Sequence, residues 1–174
     1  MRESRRRSRR ALAAAGTAAF LVLVPGVVAG LIPWLLTGWR MHDPPLAVRI
    51  VGGALVIGGA AFLIHAFTRF VIEGIGTPAP VAPTERLVVG GMYRHVRNPM
   101  YLAVGATIVG QALLLGQWGL LAYAALFFAI VATFVVTYEE PTLERQFGAD
   151  YDAYRRAVPG WLPRLHPWHG ERRR

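Results

Sequence analysis

Two short polar clusters stand at the two ends of one long apolar run. The first, YRHVRNPMY, runs from Tyr93 to Tyr101 and holds Arg94, His95, Arg97 and Asn98; the second, YEEP, runs from Tyr138 to Pro141 and holds Glu139 and Glu140. Guanidinium groups beside a helix start attract anions, paired carboxylates attract cations, and tyrosine rings attract a cationic centre through their π faces. Asn98 followed by Pro99 is a helix-start signal, because Asn caps free N–H groups and Pro at the first helical position gives up no hydrogen bond. If one helix starts there, a tight turn follows, and a second helix ends at Glu139 and Glu140, the two clusters become neighbours. Arg97 and the first helix's N-terminus then form an anion-binding corner. Glu139 and Glu140, with the negative dipole end of the second helix, form a cation-binding corner. The pair of corners suits a zwitterionic ligand; the bland alternative is an Arg97–Glu140 salt bridge that only fixes the hairpin.

The elements that must position these clusters are membrane helices. The chain has 174 residues and is 54% hydrophobic, with a mean hydropathy of +0.37, too apolar for an ordinary soluble domain. Its net charge is +9 and all 19 basic residues are arginine, which points to a GC-rich, bacterial coding bias. The absence of cysteine excludes disulfides, thiolate metal sites and Cys nucleophiles. A hydrocarbon core takes about 20 apolar helical residues to cross, and four segments qualify. The first runs from about Ala11 to Leu36, interrupted by Pro25, Gly26 and Pro33. The second runs from about Leu46 to Ile72, where Gly52, Gly53, Gly58 and Gly59 permit close helix contact. The third and fourth lie within Met100 to Tyr138 and fold back at GQWG, Gly116 to Gly119; the third, Tyr101 to Leu115, is short.

The expected fold is therefore all-α, a polytopic helix bundle of about four spans followed by a C-terminal amphipathic helical segment. Its expected divisions are a basic tail at 1–10, a bundle at 11–138 with a Pro-rich loop at 73–98, and a segment at 139–174 that closes the site. Leu143, Phe147, Tyr151 and Tyr154 form an apolar stripe along Pro141 to Ala157. Arginine asymmetry places RRRSRR, the segment carrying Arg69, Arg86, Arg94 and Arg97, and the tail from Arg145 to Arg174 on one side. Both termini are thus expected on the cytoplasmic side of a bacterial inner membrane. SRRALA, Ser8 to Ala13, is like part of a twin-arginine export signal, but the apolar run behind it is too long for a leader. A topogenic tail in contact with anionic lipid is expected instead, with no nucleic-acid partner. GTPAPVAP, Gly76 to Pro83, reads as a rigid connector, with a lid over a site as the alternative. His65, Arg69 and Glu73 share one helix face, where a substrate site competes with an Arg69–Glu73 pair and His65 in a buried polar contact. His166 and His169 are assigned to lipid headgroups.

The stretches GGMYRHVRNPMYLA and EEPTLERQFGADYDAYRRAVPGWLPR resemble the isoprenylcysteine carboxyl methyltransferase and phospholipid methyltransferase family of integral membrane enzymes. The family's ordered elements correspond here to Arg97, Asn98, Pro99 and Tyr101; Glu139 and Glu140; Phe147 and Gly148; Tyr151 and Tyr154; and Val158 and Pro159. The resemblance covers the second half of the chain. It implies S-adenosylmethionine as methyl donor, with no metal, and a lipid or lipophilic acceptor entering from the bilayer. The expected catalytic residues are Arg97, Glu140 and His95, the last by its placement, as a base if the acceptor is an amine, the alternative being an ordinary loop residue. Around the cofactor the resemblance sets Tyr93, Arg97, Asn98, Pro99, Tyr101, Glu139, Glu140 and Tyr151. The cofactor's carboxylate meets Arg97 and the helix start, its ammonium or ribose meets Glu139 or Glu140, and Tyr93, Tyr101 or Tyr151 faces the sulfonium, a contact worth about 0.5–2 kcal/mol.

Two departures matter. Asn98 stands where many relatives carry His, and FVVTY before the acidic pair lacks the Arg often found in enzymes acting on a prenylated carboxylate. The acceptor is therefore read only as a carboxyl, amine or thiol. One rival is a membrane sterol-reductase-like enzyme using NADPH, which shares a similar ending, although two adjacent carboxylates repel a pyrophosphate. The other is a non-catalytic membrane scaffold.

Overall fold

A computed structural model describes residues 23–69 and 87–170. The expectations for the N-terminal arginines, the connector at Gly76 to Pro83, Ile72 and Glu73 fall outside that range. Every regular element among the described residues is helical. Helix α1 is Leu23–Thr37, α2 is Leu46–Arg69, α3 is Pro99–Leu115, α4 is Gly119–Phe147 and α5 is Ala149–Ala157. Two helical stretches, Leu46–Thr68 and Gly119–Phe147, are long and apolar enough to cross a membrane, and only 11% and 22% of their most apolar windows are buried. A core helix of a soluble domain would be covered; these present Ile50, Ile57, Ile64, Leu126, Ile130 and Val136 outward, as lipid-facing helices do. Helices α1 and α3 are apolar but shorter.

The α3–α4 hairpin forms at the expected place. Gly116 ends α3 with a left-handed φ of 67°, its N–H donating to the Ala112 carbonyl, and α4 starts at Gly119 after an exposed Trp118. Val104, Ile108 and Ala112 of α3 pack on Leu120 and Ala124 of α4, with Val28 and Ala29 of α1 and Leu63 of α2 against them.

Two of the four α2 glycines make the close approach. A Cβ at Gly59 would meet Thr107 Oγ1 at 2.5 Å and the Ala103 carbonyl at 2.8 Å, and one at Gly52 would overlap the α3 backbone at Leu114; Gly58 has nothing within 4 Å. Seven residues separate Gly52 from Gly59, two helical turns on one face. Gly59→Ala is therefore expected to destabilise by about 1–3 kcal/mol through overpacking, whereas Gly58→Ala should be neutral or stabilising, in a thermal-unfolding comparison in detergent.

Prolines do not break the helices as the sequence leads one to expect. Before Pro33 the chain widens into a π turn at Val27–Leu31, where the Ile32 N–H reaches the Val27 carbonyl. Proline donates nothing and crowds the carbonyl four residues back, and the wider turn makes room for its ring. The freed carbonyls are taken from other helices: Gln111 Nε2 donates to Ala29 O at 2.6 Å and Tyr123 donates to Val28 O at 2.8 Å. Gln111 Oε1 in turn accepts from Trp39 Nε1 at 3.1 Å.

The same device carries α4 past Pro141. A π turn at Val135–Glu139 lets the Glu140 N–H reach Val135 O, and the helix continues to Phe147. The fourth apolar helix thus does not end at the acidic pair. Glu139 and Glu140 sit inside a helix, so its C-terminal dipole adds nothing to them. The helix breaks instead at Gly148, with φ 51° and ψ −124°, which splits the expected single segment from Pro141 to Ala157 in two.

Candidate functional site

The segment before α3 forms a short 3-10 turn at Gly91–Arg94 and then an irregular stretch whose backbone is paired with the C-terminal residues. Arg97 N–H donates to Pro159 O at 2.9 Å, Asn98 N–H to Gly160 O at 3.2 Å, Arg164 N–H to His95 O at 2.9 Å and Trp168 N–H to Arg94 O at 3.0 Å. Residues 158–168 are thereby strapped along residues 94–98, across the start of α3. His95 Nδ1 lies 2.8 Å from the Arg164 carbonyl. A carbonyl only accepts, so Nδ1 donates in this contact.

Arg97 is the hub. Its Nη1 lies 2.6 Å from Glu140 Oε1 and donates to the Tyr151 hydroxyl at 3.0 Å, and its Nε donates to Val158 O at 3.0 Å. The Arg97 and Glu140 side chains are only 15% and 13% exposed, so this pair is shielded from water and from salt. Glu140 Oε2 faces Arg155 Nη2 at 3.4 Å, which leaves both Glu140 oxygens beside cations. Glu139 is used differently: its Oε2 accepts from the Tyr101 hydroxyl at 2.9 Å. The two corners expected from the sequence are brought together, but by way of an ion pair across them.

The α5 tyrosines form the wall behind the hub. Tyr151, Tyr154 and Val158 are buried together, with Leu143, Phe147 and Trp168 against them, so the apolar stripe serves packing. Burial, then the Glu140 carboxylate, raises the Tyr151 pKa above its ordinary value, and burial raises that of Tyr154. Both stay neutral phenols at physiological pH. The Tyr154 hydroxyl donates to Tyr93 O at 2.7 Å, and the Tyr93 side chain is buried with Ala66 and Val88. Tyr93 and Tyr151 are thus wall residues, whereas Tyr101 is half-buried.

Asn98 occupies the N-cap position of α3, but its side chain makes no capping bond, a correction to the capping role read from the Asn98-Pro99 pair. Its backbone is drawn out to φ −113° and ψ 51° as its N–H joins the strap. The residue is 6% exposed, and the buried Nδ2 has no hydrogen-bond partner. Pro99, at the first helical position, is also buried.

Several contributors went unnoticed in the sequence. Trp161 of the strap has its ring 6.4 Å from that of Tyr101 and 6.4 Å, edge-on, from that of Phe128, closing the gap between strap and hairpin. Gly105 admits Phe128, whose ring a Cβ there would overlap. Arg164 Nη1 ties the strap to Ala157 O at 2.6 Å. The signal for Trp161 and Arg164 was the run VPGWLPR, apolar residues among Pro and Gly with no helical period. His65 is exposed on α2 rather than in a buried polar contact; the Arg69 side chain and Glu73 lie outside the described residues. His166 and His169 are exposed.

A profile of the phospholipid methyltransferase family matches residues 47–150, more than half of the chain. The match takes in both polar clusters and stops short of the strap. The nickel-cobalt-cadmium resistance protein NccN of Alcaligenes xylosoxydans xylosoxydans is 34% identical over 88 residues, 51% of this chain and 41% of that protein. The protein-S-isoprenylcysteine O-methyltransferase of Schizosaccharomyces pombe is 34% identical over 81 residues, 44% of this chain and 33% of the enzyme. The chain thus spans less than half the length of these curated relatives.

Proposed function

This chain belongs to the phospholipid methyltransferase family, and from that premise we propose that it is an integral membrane methyltransferase that uses S-adenosylmethionine and acts on a lipophilic acceptor. One observation carries the reading: Arg97, through its ion pair with Glu140 and its bonds to Tyr151 and Val158, gathers the start of α3, the far part of α4, α5 and the strap into one polar cluster beside the apolar helices, with the Asn98 amide and Glu139 next to it. Four crossings complete the proposed arrangement, with the polar cluster and both termini on the cytoplasmic side of a bacterial inner membrane. The low burial of α2 and α4 and the arginine asymmetry support that arrangement.

The residues of this cluster fit the cofactor. A zwitterionic amino-acid end needs a donor cluster and an acceptor, and Arg97 with the unpartnered Asn98 Nδ2 and Glu139 beside Tyr101 are of those kinds. When bound, S-adenosylmethionine supplies a methyl group on a sulfonium, an electrophile that needs no metal. This chain's residues would hold it: Arg97 and Asn98 at the carboxylate, Glu139 at the ammonium or ribose, and Tyr101 beside the cationic sulfur. The strap and Trp161 keep water out, and orientation with exclusion of water supplies most of the rate for an in-line displacement. With an amine acceptor, His95 Nε2 takes up the proton. With a carboxylate or thiolate acceptor no base is used.

The test is transfer of a labelled methyl group from S-adenosylmethionine to lipid extracts, with the protein in vesicles. Label in the organic-soluble fraction, lost in the Arg97→Ala variant, is the expected outcome. Label confined to water-soluble products would overturn the lipophilic acceptor.

A further inference from the structure

The strap carries the two most exposed large apolar side chains among the described residues: Leu165 is 91% exposed and Leu162 80%. They are not free to fold inward, because the backbone around them is pinned. Asn98 N–H holds Gly160 O ahead of them, Arg164 N–H holds to His95 O between them and Trp168 N–H holds to Arg94 O after them. We propose that this face of the strap is a docking surface for the bilayer itself, with Leu162 and Leu165 set among lipid chains at the membrane boundary and the basic residues around them on anionic headgroups. The proposal rests on α4 crossing a membrane and is independent of the reaction.

Depth is the first argument. Trp161, next to Leu162, has its ring 6.4 Å from that of Phe128, edge-on. Phe128 stands eleven positions before Glu139, three turns or about 16 Å along the helix, in the part of α4 that presents Leu126 and Ile130 outward. The Trp161 ring therefore lies alongside the apolar part of α4, which brings the backbone carrying Leu162 to the boundary between headgroups and hydrocarbon. The docking face is in this way continuous with the lipid-facing surface of α4.

Charge is the second. From Ala153 to Gly170 the chain carries three arginines and two histidines and no acidic residue, and the stretch it is strapped to, 94–98, has two arginines, a histidine and no acid either. Arg94, Arg156, His166 and His169 are exposed. Apolar side chains flanked by cationic ones match the surface of an anionic leaflet, where basic groups meet phosphates and short apolar ones enter the acyl boundary. Size separates a bilayer from a protein partner: two leucines fall far short of the roughly 800 Å² that each side of a stable protein interface buries. The strap also holds Arg97 through Val158 and Pro159, so the surface that seats the leucines supports one wall of the polar cluster.

The chain has no cysteine, so one introduced thiol gives one labelled position. Leu165→Cys and, separately, Leu162→Cys in the full chain are labelled with a fluorophore and reconstituted into vesicles of phosphatidylcholine alone or with about 30% phosphatidylglycerol. Emission is quenched with a nitroxide carried on the lipid chain and, in parallel, with aqueous acrylamide. Both side chains are exposed, so the labelled variants should keep the wild-type unfolding midpoint, which is the check that they fold. In the mixed vesicles the lipid-borne quencher should act several-fold more strongly than acrylamide at both positions, and that excess should shrink in phosphatidylcholine alone. Stronger quenching by acrylamide in both kinds of vesicle would set the leucines in water, and quenching by neither would set them under protein, a second copy included; either result would overturn the proposal. Equal lipid quenching in the two kinds of vesicle would overturn the part given to anionic headgroups.

Discussion

Arg97→Ala is expected to abolish measurable S-adenosylhomocysteine binding and to lower the folding stability by about 3–5 kcal/mol, the range for removing one partner of a buried ion pair. The effect is large because one guanidinium holds three partners from three pieces of chain: Glu140 of α4, Tyr151 of α5 and Val158 of the strap. Without it, Glu140, 13% exposed, keeps only the half-exposed Arg155 at 3.4 Å. Arg97→Lys is expected to recover little, since a lysine ammonium cannot present the fork that serves those partners at once. The double variant Arg97→Ala with Glu140→Ala should be more stable than Arg97→Ala alone, because it leaves no buried carboxylate behind. Chemical denaturation in detergent reads both quantities, and a double variant worse than the single one would mean that the ion pair is not what the arginine contributes.

The acidic pair should divide its work. Glu140 has both oxygens engaged by arginines, whereas Glu139 spends one on Tyr101, which in the proposed site assigns it to the ligand. Glu140→Gln is therefore expected to lower stability by about 1.5–3 kcal/mol, the worth of a charge-assisted hydrogen bond, and to weaken binding as a consequence of that loss. Glu139→Gln is expected to weaken S-adenosylhomocysteine binding by tenfold or more, about 1.4 kcal/mol, with the unfolding midpoint little changed. Calorimetry and thermal unfolding on the two variants decide it. The reverse pattern would assign the ligand to Glu140 and the scaffold to Glu139.

Much of this arrangement is legible in the residues alone. The Asn98-Pro99 start, the glycines at 116 and 119 and the long apolar run between the clusters define a hairpin, and the structure forms it. The stripe of Leu143, Phe147, Tyr151 and Tyr154 is likewise local, being set by helical period, and it packs as a unit. The fate of the prolines is not local. Whether Pro33 ends a helix depends on whether the carbonyl it frees finds a donor, and that donor, Gln111, is 82 positions away in the chain.

A similar limit hid the place of Glu139 and Glu140. One extra residue in the turn before Pro141 lets the helix pass, and no residue type announces a π turn. The strap escaped for another reason: VPGWLPR has no period because its backbone bonds go to residues 94–98, themselves irregular. Asn98 makes no cap bond, its backbone being drawn into the strap.

The most direct test of the central claim is calorimetric titration of the purified wild-type protein with S-adenosylhomocysteine, beside an identical titration with NADPH. A cofactor site built around Arg97, Asn98 and Glu139 predicts saturable, one-to-one binding of S-adenosylhomocysteine and none of NADPH. Binding of NADPH alone, or of neither compound, would contradict it.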